Sequence, residues 1–348
     1  MSIALITGSS GLIGSESVNF FSEKGFDVLG IDNNLRQFFF GKDGSTLWIK
    51  KNQKKNKRFK QINIDIRNFN KLDKLFKKYK NKISIIIHCA AQPSHDYGKK
   101  YPFLDFHVNA TGTLNLLELT KKYCPSAPFI FMSTNKVYGD NPNRLKIIEK
   151  KTRWELKNND ENFKGIKENF SIDNSTHSFF GVSKTYADLI VQEYGKNIGL
   201  KTVCFRGGCI TGPNHSGAKL HGFLSYLVKS STTNKVYNLI GYKGKQVRDN
   251  LHSFDLVNCF WEFYQKPRYG EVYNIGGGRF SNCSIIEALN LVENICKIRI
   301  KRKIIKTPRV GDHIWYISNL DKFKNHYPNW KQKYDTQKII EELIEYKK

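Results

Sequence analysis

The chain has 348 residues, 39% of them hydrophobic and 13% aromatic, and this composition indicates a folded protein and excludes a disordered one. It has no run of about 18 apolar residues, and its seven cysteines are scattered and form no C-x-x-C pair, so we expect a cytoplasmic protein with reduced thiols, no membrane partner and no metal. The net charge of +26 comes mainly from lysines that are abundant throughout the chain, and the densest basic run, Lys50–Lys60, has little aromatic interleaving to stack bases, so we expect no nucleic-acid partner.

In the first half of the chain, short apolar runs alternate with longer amphipathic segments. The runs are rich in β-branched residues and do not alternate with polar ones, which is typical of buried parallel strands. Strand, helix and strand in series predict an α/β fold with a Rossmann-type doubly wound parallel sheet. The expected strands are Ile3–Thr7, Asp27–Ile31, Phe59–Ile64, Ile83–His88 and Pro128–Ser133, and the expected helices lie near Leu12–Lys24, Asn68–Tyr79 and Phe106–Tyr123.

The second half is less regular. The basic run Lys50–Lys60 before the third strand is expected to be a solvated loop, and the polar segment Asp140–Thr176 a long functional loop. A helix over Phe179–Gly199 and a strand over Lys201–Gly208 follow. We expect residues 1–205 to form mainly the domain with the parallel sheet and residues 206–348 mainly a smaller lobe, with some interleaving of segments.

A glycine-rich turn separates the first predicted strand from the first predicted helix. Gly8, Gly11 and Gly14 stand in "TGSSGLIG", where the missing side chains permit a tight turn and a close approach to a pyrophosphate at the helix N-terminus. Asp32 ends the second strand, where a carboxylate binds ribose hydroxyls and repels a 2′-phosphate, and Arg36 follows four residues later. The pattern predicts a dinucleotide site that favours NAD over NADP. We therefore expect residues 1–205 to be mainly the NAD-binding domain and residues 206–348 mainly the substrate-binding lobe.

The spacing of these glycines and several later segments resemble the extended branch of the short-chain dehydrogenase/reductase superfamily. The later segments are "NIDIRN", "HCAAQ" and "HVNATGTLNLLE", which occur in the expected order. The resemblance implies further cofactor contacts at the ends of the strands. The expected cofactor-binding residues are Gly8, Ser10, Gly11, Leu12, Ile13, Gly14, Asp32, Asn33, Arg36, Asp65, Ile66, Ala90, Ala91, Gln92, Asn109 and Lys184.

The same resemblance implies the catalytic positions, and one of them is substituted. Thr134 in "MSTNKVYGD" takes the position that hydrogen-bonds the reacting sugar hydroxyl, and Lys184 in "HSFFGVSK" takes that of the catalytic lysine. Phe180 stands where the family carries its tyrosine base. Asn135 and Lys136 stand where the 4,6-dehydratases of the superfamily carry an Asp-Glu pair, which disfavours dehydration.

Segments covering nearly the whole chain, among them "AAQPSHD", "STNKVYGD" and "GKQVRDNLH", resemble the CDP-paratose (CDP-tyvelose) 2-epimerases. The resemblance implies NAD-dependent epimerisation of a CDP-dideoxyhexose at C2 through a transient 2-keto sugar, in lipopolysaccharide O-antigen biosynthesis. An arginine fork suits the diphosphate of such a substrate. The expected substrate-binding residues are His95, Thr134, Asn135, Lys136, Arg248, Arg309 and Asp312.

The substitution at Phe180 leaves three hypotheses open. In the first, Thr134 with a water, or one of His95, Asp96 and His177, moves the proton. In the second, the substrate or the reaction differs from that of the 2-epimerases, for example with another nucleotide sugar as the substrate. In the third, the chain binds NAD and a sugar nucleotide without turnover.

Extended members of the superfamily commonly pair through the helix that bears Lys184 and the helix near Asn109. The resemblance therefore implies a homodimer or homotetramer.

Overall fold

A computed structural model of the chain describes residues 2–215, 222–233, 236–308 and 311–346. The strands, in chain order, are β1 (Ile3–Thr7), β2 (Asp27–Ile31), β3 (Phe59–Ile62), β4 (Ile83–His88), β5 (Phe129–Thr134), β6 (Ile147–Glu149), β7 (Trp154–Leu156), β8 (Thr202–Gly207), β9 (Cys209–Thr211), β10 (Tyr237–Ile240), β11 (Val247–His252), β12 (Glu271–Ile275), β13 (Asn282–Ser284), β14 (Arg302–Ile305) and β15 (Trp315–Tyr316). The α-helices, in chain order, are α1 (Leu12–Glu23), α2 (Leu35–Phe40), α3 (Leu47–Gln53), α4 (Phe69–Tyr79), α5 (His95–Lys100), α6 (Pro102–Phe106), α7 (Gly112–Tyr123), α8 (Ser178–Lys196), α9 (Phe223–Thr232), α10 (Ser253–Gln265), α11 (Ile285–Cys296), α12 (Asp321–His326) and α13 (Thr336–Tyr346). Within these described ranges, no helix combines the length and the apolar character needed to cross a membrane.

One sheet has seven strands in the order β12-β8-β5-β4-β1-β2-β3. β1 pairs in parallel with β2 and β4, and the next pairs outward, β2–β3 and β4–β5, are also parallel. All five residues of β1 are buried, as expected for a parallel sheet that is covered on both faces. The helices α1, α4 and α7 stand between successive strands, and the predicted Rossmann-type doubly wound sheet is confirmed.

The segment between β2 and β3 contains two short helices, α2 and α3. The prediction of a solvated loop from Lys50 onwards was wrong for residues 50–53, which belong to α3. Ile49 and Gln53 are buried, and Nε2 of Gln53 donates to the carbonyl oxygen of Ser9 over 3.0 Å. One face of α3 therefore packs on the protein, while Lys51 stays exposed on the other side. The many lysines in this segment made the helix hard to predict.

The segment predicted as a loop over Asp140–Thr176 also contains regular structure. β6 and β7 form an antiparallel hairpin in which Ile147 pairs with Leu156. Each of these strands has three residues, too few for an alternating pattern to appear in the sequence.

The helix α8, which carries Phe180 and Lys184, is fixed to β8 by a buried ion pair. Nη2 of Arg206 lies 2.8 Å from Oδ1 of Asp188, and the two side chains are only 6% and 0% exposed. Ser133 of β5 donates to Oδ2 of the same carboxylate over 2.5 Å. Removing one partner of a buried pair leaves an uncompensated charge and costs about 3–5 kcal/mol, so this contact holds α8 in register with the sheet.

The chain divides into two compact units. The first comprises residues 1–137, 179–206 and 256–273, and the second comprises residues 138–178, 207–255 and 274–348. In the second unit, β11 pairs with β9, β13 and β15. Its apolar core joins α9, α11 and α13 through residues such as Leu227, Leu289 and Ile340.

Candidate active site

The turn between β1 and α1 contains two glycines, Gly8 and Gly14, at which a side chain would collide with the backbone. Gly8 has φ +69°, and a Cβ there would lie 2.8 Å from the backbone nitrogen of Ala90. A Cβ on Gly14 would lie 2.0 Å from the carbonyl oxygen of Gly8. Gly11 is the N-cap of α1. Because it has no side chain, it cannot accept a hydrogen bond from the first backbone N–H groups of the helix.

Asp32 lies at the end of β2, next to this turn. Its Oδ2 accepts from the backbone N–H of Ser10 over 2.9 Å, and its Oδ1 accepts from that of Asn34 over 2.8 Å. Burial raises the pKa of Asp32, while these two bonds and the charge of Lys50 work against the increase. Each carboxylate oxygen keeps a second lone pair for a ribose hydroxyl.

Asn33, Asp65 and Ile66, which are expected to bind the cofactor, belong to the first unit. Nδ2 of Asn33 donates to Oδ2 of Asp65 over 2.9 Å. Burial works to raise the pKa of Asp65, but hydrogen bonds from Arg67 outweigh it and the pKa is lowered. Ile66 is buried against Gly112, where a Cβ would lie 2.6 Å from Cδ1 of Ile66. The sequence reasoning missed Arg67, although its place two residues after Asp65 was a usable signal.

Arg36 is held near the start of α2. Its guanidinium carbon lies 4.7 Å from the centre of the Phe40 ring, and burial lowers the pKa of Arg36 to about 10. The guanidinium stays charged near neutral pH.

Gln92 and Asn109 form a buried network with two residues that the sequence reasoning missed, Asp105 and Ser183. The amide of Gln92 donates to Oδ1 of Asn109 over 2.9 Å, and Nδ2 of Asn109 donates to Oγ of Ser183 over 3.1 Å. Ser183 donates to Oδ2 of Asp105, and Nε2 of Gln92 donates to Oδ1 of the same carboxylate. These side chains join the end of β4 to α8, and a cofactor contact from Gln92 or Asn109 stays a prediction.

Ala90 and Ala91 follow β4. The backbone nitrogen of Ala90 donates to Oγ1 of Thr7 over 3.2 Å, which fixes the backbone beside Gly8. Both alanines are half-buried.

Lys184 is buried beside the end of β5. Its Nζ donates to the carbonyl oxygen of Met132 over 2.7 Å and lies 4.0 Å from the centre of the Phe131 ring. Burial lowers the pKa of Lys184 to about 8, and nearby groups such as Cys89 and Asp188 limit the decrease.

Thr134 is the last residue of β5, two residues after Met132. Its Oγ1 accepts from the backbone N–H of Lys136 over 3.2 Å, and the side chain is half-buried. Asn135 and Lys136 begin the 3₁₀ helix Asn135–Tyr138, and Asn135 is buried.

Phe180 is buried one turn before Lys184 on α8, and the two share the face of the helix that packs on the protein. The ring of His95 contacts the ring of Phe180, with centroids 5.1 Å apart and planes inclined at 68°. Tyr186 points away from this face, because it is 37% exposed and contacts Phe106.

Asp96 and His177 are the other two residues expected as proton acceptors. Asp96 is exposed on α5. His177 belongs to the second unit, where a ring nitrogen lies 3.1 Å from the carbonyl oxygen of Ser175. The phenol of Tyr138 donates to Oδ1 of Asn274 over 2.8 Å inside the second unit.

The second unit brings Arg248 and Asp312 together. Nη2 of Arg248 lies 2.5 Å from Oδ1 of Asp312, and Nη1 donates to the carbonyl oxygen of Val247. Burial raises the pKa of Tyr242, and the charge of Asp312 adds to the increase. Arg309, predicted for the same site, lies outside the described residues.

Comparison with known proteins identifies the family. The family described as "NAD dependent epimerase/dehydratase family" matches residues 4–276. The chain belongs to this family. CDP-paratose 2-epimerase of Salmonella typhi is 29% identical over 350 residues, which cover 98% of this chain and 98% of that protein.

Solved structures of two nucleotide-sugar epimerases share the fold of this chain. UDP-glucose 4-epimerase of Thermotoga maritima with UDP-glucose matches 99% of this chain and 98% of that chain, with 23% identity and a TM-score of 0.79. A tyrosine-to-phenylalanine mutant of UDP-glucuronic acid 4-epimerase from Bacillus cereus, in complex with a fluorinated sugar nucleotide and NAD, covers the same shares with 23% identity and a TM-score of 0.80.

As in its family, the cofactor of this chain is NAD, and the residues in place fit the group. The close approach of Gly14 to Gly8 leaves no room for a side chain between helix and turn, as a pyrophosphate at the start of α1 requires. The carboxylate of Asp32 is fixed by backbone amides and can accept from a ribose diol.

Proposed function

We propose that the chain is an NAD-dependent nucleotide-sugar epimerase that inverts C2 of a CDP-dideoxyhexose and converts CDP-paratose to CDP-tyvelose. The observation that carries the proposal is the buried Lys184, which donates to the carbonyl oxygen of Met132, two residues before Thr134 in β5. The full-length similarity to CDP-paratose 2-epimerase supports the choice of sugar, base and carbon centre. The proposal implies a place in the synthesis of surface polysaccharide such as the lipopolysaccharide O-antigen.

The first unit is the proposed NAD-binding part. In it, the expected set from Gly8 to Asn109 surrounds the cofactor, with Asp32 on the adenosine ribose and Lys184 on the nicotinamide ribose. Lys184 suits that role because its ammonium group is already fixed on the Met132 carbonyl and needs little rearrangement.

The reaction follows from the chemistry of the C2 centre. A carbon beside the anomeric centre carries no activated C–H bond, so direct deprotonation is very costly. NAD+ supplies a reversible hydride acceptor when it is bound. Thr134 binds the reacting hydroxyl. The surrounding protein holds the keto sugar until the sugar has turned its opposite face towards the hydride donor.

Epimerisation is favoured over dehydration by the residues that follow Thr134. A 4,6-elimination needs an acid and a base to remove a proton and expel water. Asn135 and Lys136 occupy these positions, Asn135 being a neutral amide, so the acid–base pair of an elimination is missing at this point of the chain.

The second unit is the proposed site for the sugar nucleotide. Arg248 is held by Asp312, which fixes one edge of the guanidinium and leaves other N–H groups for a diphosphate. Arg309 belongs to the same proposal. For the sugar itself we propose contacts from His95, Asn135 and Lys136, which belong to the first unit.

A second candidate is favoured by Phe180. Because this residue has no phenol, the chain could act on a different sugar nucleotide or bind NAD and a sugar nucleotide without turnover. In the Bacillus cereus epimerase, a tyrosine-to-phenylalanine mutant was crystallised with both kinds of ligand. Binding without turnover is therefore the outcome to be tested against catalysis.

A homodimer is also proposed, through an apolar surface of the first unit. The surface consists of Phe103, Phe106, Phe179, Val182, Tyr186 and Leu189, which lie on α6 and α8. Phe103 is 80% exposed, and Val182 is 57% exposed. Apolar side chains grouped in this way commonly mark an interface, and a Val182→Asp variant should shift the molar mass measured by light scattering from that of a dimer towards that of a monomer.

A cytoplasmic location is also proposed. The free cysteines of the described residues are consistent with it.

The test is a panel of CDP-paratose and of CDP-, UDP-, GDP- and dTDP-linked hexoses added to the purified protein. Inversion at C2 is followed by NMR, and the redox state of bound NAD by absorbance. Reduction with a sugar other than CDP-paratose would favour another substrate. A raised melting temperature with no reduction by any sugar would favour the binding protein.

A further inference from the structure

Position 180 offers no proton acceptor for the alcohol oxidation that the proposed function requires. Phe180 is buried, and its ring carries no exchangeable proton. The hydroxyl proton of the sugar must nevertheless leave when the carbonyl forms. Another group near Phe180 has to accept it.

The ring of His95 lies against the ring of Phe180, with centroids 5.1 Å apart. His95 is the first residue of α5, and this helix packs closely on the start of α8. At Gly98 of α5, a Cβ would lie 3.0 Å from the backbone nitrogen of Phe180, so no side chain fits between the helices. The imidazole is half-buried, next to the position of the missing phenol.

The backbone beside His95 is clamped by hydrogen bonds. Gln92 accepts from the backbone N–H of Ser94 over 2.5 Å and donates to its carbonyl oxygen over 2.8 Å. Gln92 also donates to Asp105, which in turn accepts from Ser183 of α8. One chain of hydrogen bonds therefore connects the start of α5 with the helix that carries Phe180.

Neighbouring ionisable groups are less suited to the task. The two ring nitrogens of His88 lie 2.7 Å and 2.9 Å from the hydroxyls of Thr7 and Thr113 in the buried interior. Burial raises the pKa of Cys89 to about 12, which keeps its thiol protonated. Lys184 already donates to a backbone carbonyl.

We propose that His95 accepts the hydroxyl proton of the bound sugar nucleotide and returns it at the end of the reaction, a role that rests on the proposed function. In the forward step the C–H bond breaks and its electron pair passes as hydride to bound NAD+. The O–H bond breaks, its proton passes to a ring nitrogen of His95, and the C–O single bond becomes a carbonyl. In the return step the hydride adds to the opposite face, and His95 gives the proton back to the oxygen.

The experiment compares the wild-type protein with His95→Gln, which keeps a polar side chain but cannot carry the proton. His107→Gln is the matched control, because His107 is an exposed histidine of the same unit. Steady-state kinetics with CDP-paratose and calorimetric binding of CDP-paratose to each protein separate kcat from affinity. Histidine ring NMR signals of the ¹⁵N-labelled protein, assigned by their loss in His95→Gln, report contact with the sugar nucleotide independently of turnover.

We expect His95→Gln to lower kcat by roughly 10²–10⁴-fold with little change in affinity, since this is the usual contribution of a general base. Free imidazole should restore part of the rate, the control should behave as wild type, and the His95 signals should shift when CDP-paratose is added. A His95→Gln protein that retains the wild-type kcat overturns the role of His95 alone. A wild-type protein that neither reduces its NAD nor shifts the His95 signals with any sugar of the panel overturns the proposed function as well.

Discussion

The ammonium group of Lys184 donates to the carbonyl oxygen of Met132 over 2.7 Å and faces the Phe131 ring at 4.0 Å. The Lys184 side chain is buried, so its ammonium group contacts a carbonyl oxygen and an aromatic ring in place of most of its hydrating water. Burial lowers the pKa of Lys184 to about 8, and this shift has a measurable consequence for stability.

The stability contributed by Lys184 should depend on pH. The folded protein loses the Lys184 proton near pH 8, whereas the unfolded chain keeps it until about pH 10.4, so the unfolded state binds more protons between these values. The free energy of unfolding of the wild type, relative to Lys184→Met, should therefore rise with pH in this window by up to about 1.4 kcal/mol per unit. Urea unfolding of both proteins between pH 7.5 and 10.5 measures it, and a constant difference would contradict the buried ammonium.

Phe180→Tyr should change the kcat of the wild-type protein little, because His95 already accepts the proton. The same change in a His95→Gln background should restore turnover, because a phenol beside Lys184 can serve as the base. Steady-state kinetics of the two single variants and the double variant test this. A large rise in kcat from Phe180→Tyr alone would mean that no other base is in place.

Asp188→Asn should destabilise the first unit strongly. It leaves the guanidinium of Arg206 buried without a counter-charge, and such a loss costs about 3–5 kcal/mol. Lys122→Gln is the matched control, since it breaks the exposed pair with Asp73 and should shift the midpoint little. Denaturant unfolding followed by fluorescence measures both, and equal midpoints for the two variants would contradict the assignment of a buried pair.

Asp32→Ala should lower the NAD content of the purified protein. Hydrogen bonds to a charged group contribute about 1.5–3 kcal/mol, so we expect NAD affinity to fall roughly 10- to 100-fold. Asp27→Ala, at the opposite end of β2, is the control that leaves the site intact. NAD released by heat denaturation can be counted by absorbance, and an unchanged content in Asp32→Ala would argue against a ribose contact.

The parallel sheet and its glycine turn could be predicted because their signals are local. Most of the five predicted strands are short apolar runs rich in β-branched residues, and glycines at the spacing of Gly8, Gly11 and Gly14 between a strand and a helix are typical of a dinucleotide site. The family could likewise be predicted from short segments in a fixed order, and this prediction is confirmed.

The side-chain contacts that hold the candidate site together could not be predicted, because they join residues far apart in the chain. Asp105 and Ser183 are 78 residues apart, and neither stands out in the sequence. The contact of His95 with Phe180 depends on how closely α5 packs on α8 at Gly98, which one sequence does not reveal. α3 was not predicted for another reason. Its sequence is short and basic, and its buried side consists of Ile49 and Gln53, which are too few to show a helical pattern.

The most direct test of the proposed epimerisation uses CDP-paratose deuterated at C2. The hydride leaves C2 and returns to the same carbon inside the protein, so we predict CDP-tyvelose that keeps its deuterium even in ordinary water, with NAD neither consumed nor released. Loss of the label to solvent would contradict a hydride route, and unchanged CDP-paratose with the bound NAD still oxidised would contradict the proposed reaction itself.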